Sequence, residues 1–145
     1  MTEIKRIVVG VDGSDSSKGA LEWAYNEAAH HNAALTVIAA FGPPAIPMTP
    51  PYGSAPPEGY VSQPKQDALD LLERFVTDLD VREPAVDVRT SVEEGNPAKV
   101  LIERSKEADL VVLGSRGHGG FKGMLLGSVS QHLVAHAECP VVVVR

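Results

Sequence analysis

The sequence predicts an α/β fold: an open, five-stranded parallel sheet with helices on both faces. Three observations lead there. Apolar, β-branched runs alternate with helical periodicities along the whole chain, the pattern of right-handed βαβ crossovers. Four of the five runs, Ile7–Val11, Leu35–Phe41, Leu110–Leu113 and Val141–Val144, are apolar almost throughout, as strands covered on both faces are. The composition is also globular, with 43% hydrophobic and 22% charged residues in 145, the size of one domain with a sizeable core.

The elements follow in order. Ile7–Val11 stops at Asp12-Gly13, and Ser14 to Ser17 offer N-caps for a first helix. Ala20, Leu21, Ala24 and Ala28 carry that helix to about Ala29, and Leu35–Phe41 is the second strand. Leu69, Leu72, Phe75, Val76 and Leu79 mark an amphipathic second helix over Lys65–Leu79. Val86–Val92 alternates only in part, which suits a strand near a sheet edge. Asn96-Pro97 opens a third helix with proline in its first turn. Leu110–Leu113, a helix over Leu125–Ala137 and the strand Val141–Val144 complete the series. Residues 42–64 hold most of the prolines without periodicity and read as a flexible insertion or a lid. No internal repeat divides the chain, so residues 1–145 are expected to form a single domain.

Charge and cysteine usage exclude several function classes. The formal charge of -6, with no gathering of cations, argues against a nucleic-acid partner. Cys139 is the only cysteine, which forbids an intrachain disulfide, fits a reducing cytoplasm and reads as a small buried thiol. Lys5 and Arg6 lead directly into a short apolar run, unlike a signal peptide. No stretch approaches the roughly 20 apolar residues that span a bilayer. The expectation is a soluble, cytoplasmic protein without a membrane partner.

Open parallel sheets bind ligands at the carboxyl ends of strands, where the strand order reverses. With the order 3-2-1-4-5, two loops meet there: Gly10-Val11-Asp12-Gly13-Ser14 after strand one, and Gly114 to Ser128 after strand four. The second contains Gly114, Ser115, Arg116, Gly117, His118, Gly119 and Gly120, then Lys122, Gly127 and Ser128. Glycine lets backbone N–H groups turn toward an anion and removes the Cβ that blocks close approach. Gly127-Ser128 stands where the fourth helix begins, so unpaired N–H groups and the positive helix end suit a phosphate. Arg116 and Lys122 add cations. The same glycines could serve a plain surface loop, but their register between a strand end and a helix start favours anion binding. No P-loop motif occurs, and no Gly-x-Gly-x-x-Gly follows strand one.

Asp12 is either a turn residue or a nucleotide or Mg²⁺ contact, and His118 either a phosphate contact or a solvated loop residue. His132 and His136 lie four apart, but no Glu follows His132 and no third ligand is evident, so they read as a helix face. His30-His31 end the first helix near its negative pole, and Trp23 reads as packing. No Gly-x-Ser-x-Gly elbow or nucleophile–base pair is legible, so no catalytic residue and no confident metal ligand is assigned.

Gly114, Gly117, Gly127 and Ser128 fit the pattern Gly-x2-Gly-x9-Gly-Ser/Thr, and in this the chain resembles the ATP-binding type of the universal stress protein family. Ile7 to Ser14 and Cys139 to Val144 are similar to the family's two ends, and the resemblance covers all but the Pro-rich segment. It implies a Rossmann-like, adenine nucleotide alpha hydrolase-like fold that binds ATP, acts as a regulatory module of the stress response and forms a homodimer through Val141–Val144. It further implies that Gly114 to Gly120 wrap the phosphates and ribose, and that Ser128 and Val129 bind phosphate. Asp12 would then lie near the ribose or a Mg²⁺-bound phosphate, the Gly10-Val11 backbone beside adenine, and Ala40 in the base pocket. Met124 departs from relatives that carry a basic residue there, with Lys122 as the nearby substitute. The alternatives within the resemblance are a slow ATP hydrolase or nucleotidyl transferase on the same site, and a cyclic AMP-binding member.

Overall fold

The structure is a computed structural model that describes residues 3–43, 59–79, 85–117 and 126–145. Five strands, β1 (Arg6–Gly10), β2 (Ala34–Phe41), β3 (Val88–Glu94), β4 (Leu110–Gly114) and β5 (Val141–Val144), alternate with four helices. The helices are α1 (Asp15–His31), α2 (Gln63–Thr77), α3 (Pro97–Ser105) and α4 (Ser128–His136). The strands pair in parallel in the order β3-β2-β1-β4-β5, the order the sequence predicts.

Capping explains most element bounds. The Ser14 hydroxyl accepts the Ser17 N–H at the start of α1, and Asn32, left-handed at φ 54, closes its end. Ser62 accepts the Lys65 N–H, so α2 begins at Gln63 rather than at the expected Lys65. Gln63 and Pro64 therefore belong to a helix and not to the Pro-rich segment, because a first-turn proline costs no hydrogen bond. Asn96 Oδ1 accepts from the N–H groups of Ala98 and Lys99 and places the start of α3 where its sequence signature does. β3 lies two residues later than the alternation suggests, over Val88–Glu94, where it pairs with β2 and where Glu93 meets Arg104 of α3 at 3.0 Å. α4 begins at Ser128, after the bend at Leu126; residue 125, where the sequence reading started it, lies outside the described residues.

Each face of the sheet carries its own core. Ile7 and Val9 of β1, Leu35 and Val37 of β2 and Leu110 and Val112 of β4 pack against α1 and α2, with Trp23 at the margin. Val8, Ile38, Val111 and Leu113, on the opposite face by the two-residue strand period, pack against Ala98 and Leu101 of α3 and Leu133 of α4. Cys139 is half-buried on this second side, and desolvation raises its thiol pKa, the opposite of an activated thiol. His31 bonds Glu27 at 2.9 Å, and His132 Nδ1 lies 2.8 Å from the Ser128 carbonyl. Among the described residues no three His, Cys, Asp or Glu side chains gather as a metal site, and no helix is long and apolar enough to cross a membrane.

Candidate ligand-binding site

The chain leaves β1 toward β2 through α1, and leaves β4 toward β5 through α4 on the other face of the sheet. Between these diverging connections the carboxyl ends of β1, β2 and β4 surround a cavity of about 480 Å³, within the usual range for small-molecule sites. It has an apolar half and a polar half.

Ile38 and Ala40, two apart on β2, form the apolar half with Leu113 of β4 and Pro97, Val100 and Leu101 of α3. α3 reaches β1 so closely because residue 10 is glycine: a Cβ there would stand 2.6 Å from Leu101 Cδ1. The strand ladder gives this half its polar edge. The Val11 N–H donates to the Ile38 carbonyl at 2.9 Å, so Ile38 presents its backbone groups to β1. The Phe41 carbonyl accepts the Gly95 N–H, on the β3 side. Backbone direction alternates along a strand, so Ala40 also faces β1, but the register ends at the Gly10–Ile38 pair. Among the described residues no backbone partner takes up the Ala40 N–H or C=O. One donor and one acceptor therefore stand side by side at the wall of an apolar slot.

The polar half comes from three chain segments. Asp12 Oδ1 accepts from the Ser14 N–H at 2.9 Å and the Ser14 hydroxyl at 2.5 Å, while the Asp12 N–H donates to Ser17 Oγ at 3.3 Å. The turn role and the cavity role of Asp12 thus coincide. Gly114 and Gly117 allow close packing: a Cβ on Gly114 would lie 2.7 Å from the Ser16 backbone carbon, and one on Gly117 would overlap the Asp12 carboxylate. Gly127 caps α4 without a side chain, leaving the first-turn N–H groups of Ser128, Val129 and Ser130 beside the cavity at the positive helix end. Arg116 contributes a cation at the rim.

Of the residues singled out in the sequence, Gly10, Val11, Asp12, Ala40, Gly114, Arg116, Gly117, Gly127, Ser128 and Val129 line this one cavity. Ser115 does not: it is buried, and its backbone is tied to β5 and to Gly127. His118, Gly119, Gly120, Lys122 and Met124 lie outside the described residues. Ser14 belongs to the loop that the sequence places at the switch point, though without a contact of its own, and sequence reasoning missed Ser17, Ile38, Leu113, Ser130 and the α3 wall. Ile38 was within reach, two residues before Ala40 on one strand, and Asn96-Pro97 already set the first turn of α3 at the end of β3.

A doubly wound parallel sheet with an apolar slot, a glycine-bounded turn and a bare helix start at its switch point defines an α/β protein built around a cavity suited to an anion-bearing ligand. Residues 3–145 match the profile of the universal stress protein family, and the chain belongs to that family. It is 37% identical over 140 residues to a universal stress protein of Mycolicibacterium smegmatis, covering 96% of this chain and 45% of the relative. The chain thus spans about half the length of that relative, and 82% of the Methanocaldococcus jannaschii protein MJ0531, to which it is 31% identical over 97% of its own length. The universal stress protein UspA of Lactobacillus plantarum shares the fold, with a TM-score of 0.73, 24% identity and full coverage of both chains. A universal stress protein in complex with cAMP aligns with a TM-score of 0.66 and 28% identity over 99% of this chain and 98% of that one. An Arabidopsis thaliana family protein with AMP bound aligns at 0.58 and 27% over 97% and 90%.

Proposed function

We propose that this chain is a single-domain adenine-nucleotide-binding module, with ATP as its ligand, that serves as a regulatory protein of the stress response in the cytoplasm. The observation that carries the reading is the paired Ala40 N–H and C=O at the wall of an apolar slot. Adenine offers an acceptor at N1 next to a donor at N6, the complement of that pair. Guanine offers a donor next to an acceptor and meets like with like. The phosphates then lie at the Gly114–Gly117 turn and the first turn of α4, with Arg116 as counter-charge. Among the described residues Asp12 is the only carboxylate lining the cavity, so Mg²⁺ would be held chiefly by phosphate oxygens with Asp12 as a protein ligand.

Binding without catalysis is the favoured activity, because Asp12 Oδ1 is already engaged twice by Ser14 and no second acid or base lines the cavity among the described residues. Cyclic AMP is the second reading, favoured by the relative bound to it. A homodimer through β5 is consistent with that strand's position at the sheet edge and with the exposure of Val134 on α4.

Calorimetric titrations with ATP, AMP, cyclic AMP and GTP test the proposal. An adenine nucleotide is expected to bind at least about tenfold more tightly than GTP, since one mispaired buried hydrogen bond costs about 1–3 kcal/mol. Equal affinity for GTP would refute the base seat, and no binding of any nucleotide would refute the function. The stronger of ATP and cyclic AMP identifies the ligand.

A further inference from the structure

We propose that Ser130 is a positioning residue that locks the two sides of the phosphate half together, an inference that rests on the nucleotide reading above. Ser130 is the third residue of α4, is 2% exposed and lines the cavity at its polar half. Its hydroxyl donates to the Gly114 carbonyl at 2.8 Å and lies 3.2 Å from the Ser115 carbonyl, so one proton is shared between two acceptors. Those carbonyls stand where β4 ends, beyond the last β1–β4 register pair, Val9–Val112.

The Ser115 backbone is held by three hydrogen bonds. Its N–H donates to the Val144 carbonyl at 2.8 Å, its carbonyl accepts the Gly127 N–H at 2.6 Å, and the Ser130 hydroxyl reaches the same oxygen. Sheet edge, helix cap and helix first turn thus meet at one residue. The Gly127–Ser115 bond closes the base of the loop, but it acts on the cap residue alone. Ser130 fixes the first turn of α4 itself, and with it the direction of the Ser128 and Val129 N–H groups relative to the Gly117 turn. Donors that must converge on one phosphate need that relative position set before the ligand arrives. The base seat, made by Ala40 and α3, makes no use of Ser130.

The test compares AMP with adenosine, which has the base but no phosphate, in wild type and in Ser130→Ala, Ser130→Cys and Ser130→Thr. Affinities are read by calorimetry at a temperature where circular dichroism shows each chain folded. Ser130→Ala, and the near-isosteric but poorly donating Ser130→Cys, are expected to bind AMP about tenfold more weakly with adenosine affinity unchanged. Ser130→Thr, which keeps the hydroxyl, is expected to bind both as wild type does. Equal losses for AMP and adenosine would make Ser130 a support of the fold alone and overturn the proposal, as would unchanged AMP affinity in the alanine and cysteine variants or a threonine variant as weak as they are. A wild type that binds neither ligand would instead overturn the nucleotide reading, and this inference with it.

Discussion

Gly117→Val is expected to lower adenine-nucleotide affinity by about 100-fold or more while the fold persists. Residue 117 is exposed, so its own burial contributes little to stability, and its backbone does not adopt a positive φ that only glycine accepts. The added side chain therefore acts on the site. Its Cβ falls on the Asp12 carboxylate, so either Asp12 leaves the Ser14 donors or the turn withdraws from the first turn of α4. The remaining methyl groups occupy the space assigned to phosphate. A factor of 100 corresponds to about 2.7 kcal/mol, the scale of one or two lost hydrogen bonds to a charged group. Thermal stability should move by no more than the few tenths of a kcal/mol typical of surface substitutions. Calorimetry with ATP and a thermal melt measure the two quantities. Wild-type affinity would place the ligand elsewhere.

Gly114→Ala should do the reverse and weaken the fold first. Its Cβ would sit 2.7 Å from the backbone carbon of Ser16, and backbone in the first turn of α1 cannot rotate aside as a side chain can. Overpacking of this kind costs about 1–3 kcal/mol. In a chain of this size that lowers Tm by about 3–10 °C. Binding falls as well, because α1 must shift and Ser16, 3.5 Å from the Arg116 N–H, goes with it. Chemical denaturation gives the stability change directly, and a midpoint equal to that of wild type would contradict the packing. Two glycines of one spacing motif thus carry different physical duties: one makes room for a helix, the other for a carboxylate and a ligand.

That division was not legible in the sequence, where both glycines read as phosphate-loop positions. What was legible follows from local physics. The apolar runs of β1, β2 and β4 announced strands covered on both faces, and the alternation of strand and helix led to the sheet order. Asn96-Pro97 marked the start of α3 because cap and first-turn proline are neighbours in sequence. Ser62 carries no clear cap signal because it stands in the Pro-rich run that ends at Pro64, a proline that α2 accommodates in its first turn. The bounds of β3 were blurred because its alternation is partial and pairing with β2 sets its extent. Within the site, the Gly114, Gly117, Gly127 and Ser128 spacing and the switch-point rule were enough to bring both loops together. Ala40 came from the family resemblance, and only the ladder shows why its backbone is available. Val100 and Leu101 carry no signal of a site in the sequence, since an amphipathic pattern cannot tell a wall packed on a sheet from a wall facing a cavity. Ser130 had no signal at all, for its partners are carbonyls that only the finished fold brings within reach.

The most direct test of where the ligand sits is an amide chemical-shift titration of the ¹⁵N-labelled protein with AMP. The signals of Gly10 to Asp12, Ala40, Gly114 to Gly117 and Ser128 to Ser130 should move together and saturate at one stoichiometric site, while those of Asn32 and Asp87, at the opposite ends of the strands, stay in place. Saturating shifts centred on Asn32 and Asp87, or a spectrum unchanged by AMP, would contradict the assignment of the switch-point cavity as the nucleotide site.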